Sequence, residues 1–311
     1  MPHVSVPLVL SPEVAAALDG GRAVVALEST LLAHGLPAPQ NREAAAGLED
    51  AVRARGAVPA TVAVLDGAAR VGLSAAELDR VCGGGLEKLS VRDLGAAVGL
   101  HRDGATTVAA TAALAAAAGV ALFATGGLGG VHRGARDTWD VSADLAALAR
   151  TPVLVVCSGV KSILDVAATL EVLETESVPV LGFGTGAFPG FYRRDSGHPV
   201  PWRVDDPAAA AAVWQAHRAL CPGVGAVLAQ PVPAAAELDA QLHDRLLTEG
   251  LAGLTRRGVT GKDVTPALLE HFHAASGGAS LRTNLALVRA NAELAADVAV
   301  VLAGPAPDGP A

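Results

Sequence analysis

Two short, wholly apolar runs, Val120–Ala124 and Val153–Cys157, constrain this chain more than any other feature. Each stops at a polar or glycine-rich loop: Gly126–Gly130 follows the first, and Ser158-Gly159-Val160-Lys161 the second. A continuous apolar run bounded by turn residues reads as a strand buried on both faces. Between the two lies Ser142–Arg150, a helix-like segment. Strand, helix and strand in this spacing form the crossover unit of a parallel sheet. In open α/β sheets, ligands bind where strands end and loops begin. The stretch Thr125–Asp165 therefore constrains the fold class and also supplies the place where chemistry is expected.

The same alternation runs along the rest of the chain. Val24–Leu27 is an apolar run ending in Glu28-Ser29-Thr30, which puts a carboxylate at a strand end. Asn41 caps a predicted helix to about Arg55, followed by a strand at Thr61–Leu65 and a turn at Asp66-Gly67. Ser74-Ala75-Ala76-Glu77 is a capping box opening a short helix that Gly83-Gly84-Gly85 ends. Lys88–Asp93 reads as an extended piece, and Gly104 opens an alanine helix leading to Val120. After Lys161 a helix is predicted to about Glu176, then a strand at Val178–Leu181. Residues 182–206 read as one long loop holding three of the five phenylalanines and the only tyrosine. Loops of that length in compact domains are often functional. Asp206 and Pro207 open another helix, and Val224–Ala229 is a last strand. The remainder reads as helical: Ala234–Leu254, a Thr265-capped Pro266–Ala275, and Leu281–Leu302. The expected architecture is a layered α/β/α fold with a largely parallel central sheet and a helical C-terminal part. It forms one domain over residues 1–303, with a disordered tail at 304–311.

Alanine and valine must build the core, because hydrophobic residues make up 51% of the chain and aromatics only 3%. The net charge of -8 excludes the basic surface that non-specific nucleic-acid binding needs. Local cations can still hold a small phosphate. Cys82, Cys157 and Cys221 are odd in number and lack CxxC spacing, so no disulfide framework is expected. The uncharged run Gly104–Val131 is broken by GGLGG and reads as a helix and a strand rather than a membrane span. The start, MPHVSVPLVLSPEV, lacks the regions of a signal peptide, and a cytoplasmic protein is expected.

Lys161 is the sharpest candidate for chemistry. A lysine at a helix start is commonly a solvated charge. Behind the apolar VLVVC it instead suits a nucleophile, because an apolar setting frees an amine to attack a carbonyl. Glu28 suits an arginine partner or, if buried, a general acid. Asp137, Asp140 and Asp144 are either helix N-terminal charge, with Ser142 as cap, or oxygen ligands for a hard divalent cation. The GGLGG run has neither the GK[ST] of a phosphate loop nor the GxGxxG spacing of dinucleotide folds. Lys88, His132 and Arg133 are surface charges or, with backbone N–H groups, a phosphate site. Asn284 reads most simply as a polar surface residue.

The segments ALESTLLAHGLP, GGLEKLSVRDL, ATGGLGGVHRG, DVSADL and CSGVKSILD together resemble the pseudouridine-5′-phosphate glycosidases, an indigoidine synthase A-like family. FPGFY and SLRTNLALVRANAELAADVA extend the likeness, which covers roughly residues 8–302. The resemblance implies reversible cleavage of pseudouridine 5′-phosphate to uracil and ribose 5-phosphate through a lysine imine. It makes Lys161 the nucleophile, Glu28 the proton donor and Asp140 the metal ligand. Lys88, Val108, Ser142, Ala143 and Asp144 become substrate contacts, and His132 and Asn284 pocket residues. It also implies one Mn²⁺ per subunit, with Mg²⁺ or another divalent ion as a substitute, and a homotrimer. Arg136 and Gly186 depart from the family pattern, each standing where an acid is usual. The residues alone leave open a non-catalytic sugar-phosphate binder and an imine-forming aldolase acting on another sugar phosphate.

Overall fold

The structure is a computed structural model that describes residues 8–259, 261 and 264–304. The expected tail, apart from Gly304, lies outside the described residues. The strands are β1 (Leu8–Leu10), β2 (Val24–Glu28), β3 (Val58–Leu65), β4 (Ala68–Val71), β5 (Glu87–Leu89), β6 (Gly104–Thr106) and β7 (Leu122–Ala124). They continue as β8 (Val131–His132), β9 (Leu154–Cys157), β10 (Leu164–Asp165), β11 (Val180–Phe183), β12 (Trp202–Val204) and β13 (Ala226–Ala229). The first helices are α1 (Pro12–Asp19), α2 (Gln40–Ala54), α3 (Ala75–Cys82), α4 (Val91–Gly99), α5 (Val108–Ala117) and α6 (Ala135–Thr138). Then come α7 (Ala143–Leu148), α8 (Val166–Thr175), α9 (Pro207–Leu220), α10 (Ala240–Arg257), α11 (Val264–Ala275) and α12 (Ala279–Ala303).

The main sheet runs β1-β4-β3-β2-β7-β9-β13-β11-β12, with β5 and β6 branching from β3. Its centre is parallel: β2 pairs with β3 and β7, β7 with β9, and β9 with β13. Only β3 pairs antiparallel, with β4 and β6, among the strands of this sheet that are described. Every residue of β3 and β9 is buried. Side chains alternate between faces, so helices must cover both. Helix α12 packs on the β2–β7–β9 centre and on α2, which itself packs on β3, while α5 packs on β2, β3 and β7 together with α7. The contact α12 makes with three central strands explains the helical C-terminal part: its apolar face completes the core laid down earlier in the chain.

Several local expectations change. Asn41 does not cap α2, which starts at Gln40; it is buried, and its Nδ2 donates to the carbonyls of Leu32 (3.1 Å) and Cys82 (2.8 Å). Lys88–Asp93 is not one extended piece: β5 ends at Leu89, and Ser90 and Asp93 form a capping box that opens α4. Gly104 opens β6 rather than the alanine helix, which begins at Val108. The helix after Lys161 begins at Val166, after the short β10. The long loop holds β12, parallel to β11. Ala234–Ala236 is a separate 3₁₀ turn ahead of α10, and Thr265 lies inside α11 rather than capping it. Among the described residues, no helix is long and apolar enough to cross a membrane.

Candidate active site

Three adjacent parallel strands, β2, β7 and β9, end on one side of the sheet and deliver Glu28, the glycine loop at 125–130, and Ser158–Lys161 to one place. A cavity of about 410 Å³ opens there. Lys161 and Glu28 both line it, as do Lys88, Val108, His132, Asp140, Ser142, Ala143, Asp144 and Asn284. The chain thus gathers into one cavity the site residues that the family resemblance implies, although they lie on six separate stretches.

The backbone fixes the two loops against each other. Leu128 N–H donates to Gly159 O at 2.9 Å, Lys161 N–H to Leu128 O at 3.1 Å, and Ser158 N–H to Gly126 O at 2.9 Å. Gly159 has φ +81°, and a Cβ there would collide with the Pro189 carbonyl oxygen, so only glycine fits. The FPGFY segment closes over this junction, with Phe191 N–H donating to Ser158 O at 2.9 Å and its ring lining the cavity.

Glu28 is governed first by burial, which raises its pKa from the ordinary 4.5. Lys161 and a hydrogen bond from Thr125 Oγ1 to Glu28 Oε1 pull it back down, Asp144 pushes it up and Lys88 lowers it. The group is therefore a carboxyl that holds its proton above the usual carboxylate range, facing a lysine. Burial raises the Cys157 thiol to about 12, as for an inert core residue.

Asp144 is buried, and its two oxygens accept from Ala109 N–H (2.9 Å) and Gly129 N–H (2.7 Å). It thereby ties the start of α5 to the glycine loop while still facing the cavity. A Cβ on Gly129 would press on Ser142 Oγ and lie 2.6 Å from Asp144 Oδ2, which explains this glycine. Ser142 caps α7 by accepting from Asp144 N–H at 3.2 Å. Asp137, by contrast, sits exposed on α6 and does not line the cavity.

Two proposed phosphate cations fall away. Arg133 does not line the cavity; its Nε donates to the Ile163 carbonyl at 3.3 Å. His132 has its pKa lowered, mainly by burial, with Asp140 opposing and Lys161 and Lys88 reinforcing, so it is a neutral imidazole at pH 7. Arg92, at the start of α4, lines the mouth instead. Nothing in the sequence marks it out, because its role depends on where α4 begins. Asn284 is not a surface residue: it is 1% exposed, and its Oδ1 has no hydrogen-bond partner among the described residues. Thr30 Oγ1, His34 Nε2 and Thr107 Oγ1 are likewise buried, without a partner among the described residues, and on the cavity wall. Burial and Lys88 lower the pKa of His34, so it too is neutral. Buried polar atoms are normally paired. Four orphans around one cavity mark it as a place that a polar ligand completes. Arg136 is exposed and off the cavity, and Gly186 faces open space, so neither departure reaches the site.

A metal must be judged on its donors. Asp140 is half-buried in the wall, with His132 Nδ1 at 3.7 Å from its Oδ2. Among the described residues no group of three or more His, Cys, Asp or Glu could cage an ion. One carboxylate in a wet cavity suits Mg²⁺ or Mn²⁺, which keep several waters and lean on substrate oxygens. The donor set fits such an ion and not a tightly caged one.

A family model described as "Indigoidine synthase A like protein" matches residues 13–301. The chain belongs to that family. Its relatives include the pseudouridine-5′-phosphate glycosidase of Streptomyces griseus, 56% identical over 296 residues that cover 94% of this chain and 92% of the relative. The protein of that name from Deinococcus radiodurans is 54% identical, covering 93% of each. Among solved structures of the indigoidine synthase A-like fold, the prealnumycin C-glycosynthase AlnA in complex with ribulose 5-phosphate has a TM-score of 0.89 at 37% identity. The match covers 96% of this chain and 98% of that one. An indigoidine synthase A-like protein from Thermotoga maritima gives 0.87 at 33% identity, covering 98% and 99%.

Proposed function

We propose that this protein cleaves the C–C glycosidic bond of pseudouridine 5′-phosphate, reversibly, to uracil and ribose 5-phosphate. The observation that carries the reading is the meeting of Lys161 with a carboxyl, Glu28, whose proton burial retains. Curated relatives of that name, matched nearly end to end, support it, as does a structural neighbour that holds a pentose 5-phosphate.

The bond explains the residue types. Uracil departs from carbon, so the two-carboxylate route of ordinary glycosidases is ill suited. In the proposed course the Lys161 amine bonds to C1′ as the C1′–O4′ bond opens and O4′ takes a proton. Glu28 gives its proton to C5 of the base. The C1′–C5 electron pair returns to the uracil ring while the lysine nitrogen forms C1′=N. Water then hydrolyses the imine, returning the amine and the aldose. Thr125 orients Glu28, and the wall atoms Asn284 Oδ1 and His34 Nε2 accept hydrogen bonds from substrate. Lys88, Val108, Ser142, Ala143 and Asp144 form the substrate wall. Asp140, with His132 beside it, would hold one Mn²⁺ or Mg²⁺ through water, and the ion would supply charge balance for the phosphate. A homotrimer acting in the cytoplasm completes the proposal, supported by the family likeness and by the exposed apolar side chains of Trp139 and Leu220.

The chain has three lysines, Lys88, Lys161 and Lys262, which makes the test clean. Borohydride added during turnover is expected to leave a sugar-phosphate mass on Lys161, and Lys161→Ala should release no uracil while keeping its thermal transition. An adduct on Lys88 overturns the assignment. Uracil release without any adduct removes the imine, and no release at all favours a sugar-phosphate binder. Exhaustive chelation should suppress turnover, with Asp140→Ala altering metal dependence far more than Asp137→Ala; full activity after chelation removes the ion from the reading.

A further inference from the structure

The polar group that joins the two loops of the site lies outside the cavity. Asn291, on α12, is completely buried, with Leu287, Val288, Ala292, Leu294 and Ala295 among the buried residues around it on that helix. Its Nδ2 donates to the Thr125 carbonyl at 2.9 Å, has the Gly126 carbonyl at 3.5 Å, and lies 3.1 Å from Ser158 Oγ. Thr125 is the residue whose hydroxyl holds Glu28, and Ser158 begins the turn that ends in Lys161. A buried amide costs stability unless its hydrogen bonds are met, and an alanine or leucine would fill this helix face without that cost. What the amide adds is a directional tie from one rigid helix to the ends of β7 and β9 at once. We propose that Asn291 is a positioning residue, pinning both loops to α12 so that Glu28 and Lys161 keep their relative placement. The proposal rests on the glycosidase reading and deepens it.

The substitutions Asn291→Ala and Asn291→Asp separate positioning from packing. Alanine removes the tie. Aspartate keeps the shape, but its carboxylate faces the two carbonyls and repels them; once protonated, its O–H can again donate to Thr125 O. The charged groups facing Glu28, namely Lys161, Lys88 and Asp144, stay unchanged in both. Misplacing reacting groups by about 1 Å costs on the order of 100-fold. The expected result for Asn291→Ala is therefore a fall of about that size in kcat, a KM within a few-fold of wild type, and a displaced alkaline limb in the pH profile. Asn291→Asp should recover activity relative to Asn291→Ala as the pH falls. A second readout needs no turnover: labelling of Lys161 by a simple aldehyde with cyanoborohydride, followed by mass spectrometry across pH, should differ between wild type and both variants. If Asn291→Ala does not fold, the near-isosteric aspartate carries both measurements. Wild-type kcat and an unchanged labelling profile in the variants overturn the proposal, and so does equal loss in both variants with no recovery at low pH. If wild type itself releases no uracil, the glycosidase reading fails, and the labelling profile alone still decides whether Asn291 places Lys161.

Discussion

The Glu28 carboxyl is pulled in both directions, and the balance sets a pH dependence. Burial raises its pKa, Lys161 and the Thr125 hydroxyl lower it, and Asp144 raises it again. A general acid works in its protonated form. Activity resting on Glu28 should therefore hold below its raised pKa and fall as pH rises through it, above the ordinary carboxylate value of 4.5. Thr125→Val removes a hydrogen bond that favours the charged form, so the alkaline limb of kcat should move to higher pH. Glu28→Gln keeps the shape without the proton, and kcat should drop about 10²–10⁴-fold. An unchanged limb in Thr125→Val, read by initial rates across pH, would mean that another group is the acid. Lys161 and Glu28 were legible in the sequence because Glu28 ends the apolar strand β2 and Lys161 closes the short turn after the apolar strand β9. Thr125 and Asn291 were not, since their roles come from partners 97 and 166 positions away, and no local pattern encodes those contacts.

Elements explain which expectations held. β2, β7, β9 and β13 are continuous apolar runs, and burial on both faces leaves that trace in any sequence. β5 and β6 are three residues each, at a branch of the sheet, and carry no such run; their pairing is tertiary. The opening of α4 had a readable signal, Ser90 three residues ahead of Asp93, which the adjoining β-like LEKLS obscured. The turn after β9 yields the sharpest element-level test. Gly159→Ala must hold an alanine at φ +81° and place its Cβ on the Pro189 carbonyl, which displaces either the lysine loop or the FPGFY segment. A loss of at least ~2 kcal/mol is expected, since left-handed strain costs about 1–3 kcal/mol and the collision adds to it. Gly186→Ala lies in the long loop that carries FPGFY, with open space around it, and should stay within about 0.5 kcal/mol of wild type. Thermal denaturation of the two variants side by side measures the contrast, and equal transitions would mean that the junction is looser than its geometry.

At the scale of the whole molecule, an acidic protein is asked to hold an anion. The net charge of -8 repels a phosphate at a distance, so binding has to come from contact inside the cavity. The debit at long range is small in physiological salt, where charges more than about 8 Å apart are screened. Contact inside the cavity is not screened in the same way. With His132 and His34 neutral and Arg133 turned away, Lys88 and Arg92 are, among the described residues, the wall cations besides Lys161, which is committed to C1′. Hydrogen bonds to charged groups contribute about 1.5–3 kcal/mol each. Lys88→Met should therefore lower kcat/KM by roughly 10- to 150-fold, and Arg92→Met by less, because its side chain is 83% exposed and its charge is well solvated. Plain pseudouridine lacks the phosphate altogether and should be a poorer substrate than either substitution makes the nucleotide. Its kcat should fall along with its affinity, because binding of the remote phosphate holds C1′ against Lys161. Steady-state kinetics on nucleoside and nucleotide, with wild type and both variants, give the comparison directly. If Lys88→Met affects the two substrates equally, Lys88 does not hold the phosphate but acts nearer the base or the ribose.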